Sequence, residues 1–124
     1  MATYEGHCLC GASRIEVRGP EAKTQDRCHC TDCQRTSGGP FASSITVAQS
    51  DASITGDQVA RYEYKSAMGN DNVRIFCKGC GFVIQTGPLG KYASKLPFTE
   101  ELFVKDRWDS IPAVPGANQR DAMY

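Results

Sequence analysis

The residues best suited to chemistry are seven cysteines in three clusters: Cys8-Leu9-Cys10-Gly11, Cys28-His29-Cys30-Thr31-Asp32-Cys33 and Cys77-Lys78-Gly79-Cys80-Gly81. An odd number cannot pair completely as disulfides, and the segment from Met1 to Cys8 carries no basic stretch followed by an apolar run. The expected compartment is therefore reducing and cytoplasmic, where thiols stay free and metal ligation is the default reading. Structural zinc takes four closed ligands, whereas catalytic zinc keeps three protein ligands and a fourth position for water or substrate. Four plus three uses all seven thiols.

Geometry divides them. Alternate residues of an extended segment share a face, so Cys8 and Cys10 can present two sulfurs, and Cys77 and Cys80 can do so across a turn eased by Gly79 and Gly81. Joined, the pairs make a four-thiolate structural site on Cys8, Cys10, Cys77 and Cys80 that clips together segments with sixty-six residues between them. An extended Cys28-His29-Cys30, with Cys33 one helical turn on, lets three sulfurs converge on a second ion. Two rivals stand beside this partition. Cys30-Thr31-Asp32-Cys33 also reads as a redox CxxC, but no βαβ pattern surrounds it and Cys28 would be idle. A second closed zinc site would need His29 or His7 as fourth ligand, and an extended backbone turns each away from its cysteine face.

Three thiolates leave a divalent ion with a local charge of about −1, a weak Lewis acid for water but a soft centre for a further sulfur. Such a site suits an incoming thiol, held as thiolate below its ordinary pKa of roughly 8.5, that attacks an electrophilic carbon or leaves from one. The implied reaction class is carbon–sulfur bond making or breaking at Cys28, Cys30 and Cys33, with a small thiol and a small electrophile as partners. Two filled sites bring the formal charge from zero to about −3, so nearby cations matter. Arg35, with Ser37 and Gly38 behind it, is the candidate substrate contact, offering a guanidinium, a hydroxyl and close backbone N–H groups. Ser37-Gly38-Gly39 reads equally as a helix stop. Arg27 and Lys78 read as solvated, and Phe41, Tyr62, Tyr64, Tyr92 and Trp108 read as packing. The competing class is a zinc-stapled protein-binding module without catalysis.

The elements that must position these clusters are mostly strands. Period-two alternation marks Arg14-Ile15-Glu16-Val17-Arg18, Phe41 to Val47 and Arg61-Tyr62-Glu63-Tyr64-Lys65. Val73 to Phe76 and Phe82 to Thr86 flank the Cys77–Cys80 turn as hairpin arms, and Leu102-Phe103-Val104 is a late strand. One short helix is predicted over Thr31 to Ser37, capped by Thr31 and stopped at Gly38-Gly39 before Pro40. The tail 111–124 reads as irregular. The result is a mainly β, antiparallel chain of 124 residues and 13.5 kDa, one domain over 1–124. A mean hydropathy of −0.41 predicts a thin core that needs a staple. Fourteen basic residues balance fourteen acidic ones and neither half is a basic arm, so no nucleic-acid partner is expected. No apolar run is long enough for a membrane span.

The order CxCG, then Cys28-His29-Cys30-Thr31-Asp32-Cys33-Gln34-Arg35-Thr36-Ser37-Gly38 and Pro40-Phe41, then Cys77-Lys78-Gly79-Cys80-Gly81, resembles the glutathione-dependent formaldehyde-activating enzyme (GFA) family, also called the centromere protein V type. The resemblance spans about residues 5 to 86, and Val104-Lys105-Asp106-Arg107-Trp108 is similar to the family's late strand. It implies a β-tent fold of small antiparallel sheets, a structural zinc on Cys8, Cys10, Cys77 and Cys80, and a second zinc on Cys28, Cys30 and Cys33. It further implies a lyase that joins glutathione to formaldehyde as S-hydroxymethylglutathione, with the glutathione sulfur at the second zinc.

Overall fold

The alternation Arg14-Ile15-Glu16-Val17 becomes strand β2 (Arg14–Gly19), which buries Val17 and turns Arg14 and Arg18 to solvent. In this computed structural model, which describes residues 2–66, 68–84 and 89–122, β2 is the centre of a three-stranded antiparallel sheet. On one side lies β1 (Ala2–His7) and on the other β5 (Ala52–Thr55). The register sets Tyr4 opposite Val17 and Val17 opposite Ala52, so one row of side chains crosses the sheet on its inner face.

A second sheet has the order β4-β3-β8-β9, built from β3 (Gln25–Cys28), β4 (Ala42–Ser44), β8 (Phe98–Leu102) and β9 (Asn118–Gln119). A hairpin of β6 (Val59–Lys65) and β7 (Asp71–Cys77) completes the architecture. The helix α1 (Thr31–Ser37) follows β3, and α2 (Gly90–Ala93) is a single turn. The fold is thus mainly β, small sheets with one helix after the central cysteine cluster, the β-tent arrangement expected above.

The core is thin and split. One buried cluster joins Cys28, Cys30, Cys33, Ala42, Leu102 and Phe103; the other joins Tyr4, Val17 and Leu89, with Ile15, Ala22, Ala52 and Tyr92 packed on it. Burying each larger aliphatic side chain contributes about 1.5–3 kcal/mol, so a handful leaves little margin over chain entropy.

Several expectations need correction. The sheets are not purely antiparallel: β3 pairs with β8, and β8 with β9, in parallel. The long crossover from β3 to β8 permits this, and period two does not distinguish the two ladders. Residues 41–47 supply only Ala42–Ser44 as strand, and Val47 is exposed. The late strand lies at Phe98–Leu102, because Phe103 takes a positive φ of 55° and breaks it. The hairpin partner of β7 is β6; among the described residues beyond Cys80, Val83 forms a bridge with Phe76, the Cys77 N–H donates to the Phe82 carbonyl at 2.9 Å and the Ile84 N–H to the Ile75 carbonyl at 2.8 Å. Gln85 and Thr86 lie outside the described residues. The tail 111–124 carries β9, and Tyr62 and Trp108 are exposed rather than packed.

Candidate thiolate centres and the cavity beside them

Cys8 and Cys10 stand in a turn just past β1 rather than on a strand, with the Gly11 N–H donating to the Cys8 carbonyl at 3.2 Å. Cys77 ends β7, and the Gly81 N–H donates to the Cys77 carbonyl at 2.7 Å. Each pair is therefore a knuckle closed by its following glycine, and Gly11 and Gly81 both take positive φ, 80° and 74°. At Gly79 the constraint is space: a Cβ there would lie 3.3 Å from the Cys10 sulfur and crowd it by a few tenths of an ångström. The four sulfurs lie within 4.8 Å of one another, with Cys8–Cys10 and Cys10–Cys77 at 3.6 Å. Four sulfurs at about 2.3 Å from one ion form a tetrahedron with edges of about 3.8 Å, so the quartet fits a closed metal site.

Ionisation in the quartet is shared. Burial works against a Cys8 thiolate, but the Ser13 backbone N–H and the neighbouring thiols outweigh it and hold its pKa down at about 6. At Cys10 the Ala12 backbone N–H lowers the pKa, yet the Cys77 and Cys8 sulfurs push it up to about 11. Cys77 is also brought below its ordinary value, first by the Ser13 hydroxyl, so the thiolate form is favoured unequally across the quartet and a metal must displace the protons that remain.

The trio is held by a different device. Cys28 ends β3, and Cys30 is the N-cap of α1, its sulfur accepting from the Cys33 N–H at 3.3 Å. The predicted helix boundaries hold, but Cys30 caps in place of Thr31, and Gly38 forms the left-handed stop. Hydrogen bonds from Cys28 and then Cys33 hold the Cys30 thiol well below its ordinary range, and the same contacts push Cys28 up. All three are buried and their sulfurs lie within 4.8 Å of one another. Among the described residues no fourth Cys, His, Asp or Glu joins them.

His29 is fully buried and turned to Glu101, its Nε2 donating to Oε1 at 2.8 Å. The extended backbone does direct it away from the trio. His7 is likewise engaged, its Nδ1 donating to the Cys8 carbonyl at 2.7 Å. Glu101 also accepts from the Val114 N–H at 2.9 Å and Gln119 Nε2 at 2.7 Å, and Arg107 Nη1 lies 3.5 Å away. One carboxylate thereby clasps the C-terminal segment to the cysteine-bearing turn.

A cavity of about 600 Å3 separates the two core clusters, and Cys28, Cys30 and Cys33 line it together with Arg74. The Arg74 guanidinium donates to the Cys33 sulfur at 3.7 Å and lies 5.6 Å over the Tyr64 ring. Burial works against its charge, but the Cys33 sulfur raises its pKa. The sequence reading missed Arg74, since a charge alternating with Val73 and Ile75 looks like a solvated strand face and lies forty-one residues from Cys33. Arg35, Ser37 and Gly38 are exposed at the end of α1 and do not line the cavity. Arg27 is not solvated: its guanidinium lies between Phe41 and Phe98, 4.4 and 4.5 Å from their centroids. Lys78 is exposed.

A family model described as glutathione-dependent formaldehyde-activating enzyme matches residues 3–96. A Halomonas elongata protein provisionally named a glutathione-dependent formaldehyde-activating enzyme is 46% identical over 35 residues. That stretch covers 28% of this chain and 22% of the relative's own length.

Proposed function

The chain belongs to the glutathione-dependent formaldehyde-activating enzyme family, and from that premise we propose that it is a zinc-dependent carbon–sulfur lyase. It joins glutathione to a small carbonyl carbon, giving an adduct of the S-hydroxymethylglutathione type, or releases the carbonyl from it. The observation that carries this reading is the trio itself: three buried sulfurs converge beside a cavity, with no fourth ligating side chain among the described residues. The cavity falls within the roughly 300–1,000 Å3 of small-molecule sites.

Zinc held by Cys28, Cys30 and Cys33 supplies a soft Lewis acid that favours the thiolate of an incoming thiol near neutral pH. The protein's own groups do the rest. Arg74 offsets negative charge gathered at the sulfurs. The His29–Glu101 hydrogen bond and the Cys30 cap hold the trio's backbone in place. In the adduct-forming direction the thiol gives its proton to solvent, the sulfur–carbon bond forms, and the carbonyl oxygen takes a proton from solvent. Arg35, Ser37 and Gly38, exposed beyond the trio, are assigned to parts of glutathione that extend outside the cavity. The quartet Cys8, Cys10, Cys77 and Cys80 holds the structural zinc, and residues 1–124 act as one unit. Seven free thiols suit a reducing, cytoplasmic setting. Among the described residues no helix is long and apolar enough to cross a membrane.

The test is spectroscopic. In cobalt-substituted protein, saturating glutathione is expected to change the thiolate-to-metal charge-transfer band; an unchanged band overturns the reading in favour of a zinc-stapled protein-binding module.

A further inference from the structure

The cavity has two unlike walls. On the hairpin and β4 side the lining carries the polar groups of Ser43, Ser44, Asn70 and Asn72, the Arg74 guanidinium and the Asp71 carboxylate, groups that can meet both carboxylates and an ammonium. The sheet of β1, β2 and β5 lines it with Tyr4, Ile15, Val17 and Ala52, and Leu89 closes that side. The second wall has little hydrogen-bonding capacity. Its backbone groups are engaged in the β1–β2–β5 ladders, and its polar side-chain group is the Tyr4 hydroxyl, which accepts from the Ala22 N–H at 2.7 Å.

Glutathione carries two carboxylates and an ammonium, and pressing such groups on an unpaired apolar wall is strongly unfavourable. Glutathione therefore belongs to the polar wall. Formaldehyde is a single carbon and fills only a small part of a cavity of about 600 Å3. The apolar wall is left for the other reactant.

We infer that this chain takes an aldehyde with an apolar body of several carbons, its carbonyl at the Cys28/Cys30/Cys33 end and its tail on the Tyr4–Val17–Ala52 row. The inference rests on the thiol–carbonyl reading above and names its substrate class. The bond changes are those already given: the thiol proton leaves to solvent, sulfur bonds to the aldehyde carbon, and the oxygen is protonated from solvent. Val47 and Met68, exposed apolar residues, also line the cavity, on the hairpin and β4 side.

The experiment is a kinetic series with glutathione and the straight-chain aldehydes from propanal to hexanal, whose carbonyls are of nearly equal reactivity, with formaldehyde alongside. Burial of each added methylene on the wall is expected to raise kcat/KM by roughly fourfold. In Ala52→Leu, whose added atoms project from the half-buried row into the cavity, the hexanal-to-formaldehyde ratio of kcat/KM is expected to fall at least tenfold. A readout independent of turnover uses 1-hexanol and the methyl NMR signals of the protein. Saturable shifts at Ile15, Val17 and Leu89 are expected, and shifts elsewhere or none would overturn the inference. A flat or falling series with formaldehyde still turned over also overturns it, leaving the thiol–carbonyl reading intact. No adduct with any aldehyde brings down both. Should Ala52→Leu fail to fold, the chain-length series and the hexanol mapping, both on the unaltered protein, decide the matter.

Discussion

A guanidinium beside a sulfur cluster acts more strongly when half-buried than when solvated, because screening by water is reduced. Arg74 is in the first situation and Arg35 in the second. Arg74→Met keeps most of the side-chain volume and removes a charge-assisted hydrogen bond worth about 1.5–3 kcal/mol. It is expected to lower kcat/KM with glutathione about tenfold to a hundredfold and to lower the thermal midpoint by several degrees while the chain still folds. Arg35→Ala, if it touches only the outer part of glutathione, is expected to raise KM severalfold and leave kcat unchanged. Steady-state kinetics of both variants check the pair. Among the cysteines the roles also separate. Cys30→Ser keeps an N-cap oxygen on α1 but removes a soft ligand, so the chain is expected to fold and to be inactive. Cys8→Ala breaks the quartet and is expected to unfold, as circular dichroism would report.

Two element-scale features are open to equally direct tests. Gly38 and Gly56 both have positive φ, at 72° and 130°. A Cβ on Gly38 meets nothing within 4 Å, so Gly38→Ala is expected to cost only the left-handed strain of about 1–2 kcal/mol. A Cβ on Gly56, between β5 and β6, would overlap the Ala12 carbonyl oxygen, a backbone atom that cannot swing aside. Gly56→Ala is therefore expected to cost more than about 3 kcal/mol, and urea denaturation of both variants measures the difference. The second feature is the Glu101 clasp between β8, β9 and the His29 turn. Burial raises its pKa, but Gln119, the Val114 N–H and His29 together bring it below the ordinary 4.5. A carboxylate lowered in this way stabilises the fold fully above that ordinary value, and the contribution is lost as pH falls through the lower folded value. Glu101→Gln is expected to lower stability by about 3 kcal/mol at neutral pH and to converge on the unaltered protein in acid, which denaturation midpoints across that range will show.

At the scale of the whole molecule, a thin divided core makes cross-linking important. Holding Cys10 to Cys77 through an ion closes a loop whose entropy is worth about 4 kcal/mol by the chain-entropy argument for cross-links. Metal analysis is expected to give two ions per chain. Partial chelation is expected first to abolish activity and then to lower the melting temperature, since the open trio has one ligand fewer than the quartet. Simultaneous loss would show that the two sites do not divide the labour. The division of the core also creates the functional space, because the cavity occupies the gap between the Tyr4–Val17–Leu89 cluster and the cysteine-bearing cluster.

The sequence by itself determined the partition of seven thiols into four and three, the helix at Thr31–Ser37 and the mainly β character. The helix and the strands rest on local spacing, a helical turn and period-two alternation that act over a few residues; the partition rests on counting, because two two-thiol knuckles and one three-thiol segment divide into four and three. Only the tertiary structure decided that Arg74 meets Cys33, that Glu101 takes His29 away from the trio, and that β3 and β8 run parallel. It likewise set the cavity's two walls. Each of these joins segments about forty to seventy residues apart, and at such separations the partner is fixed by how the sheets pack, which no local periodicity encodes.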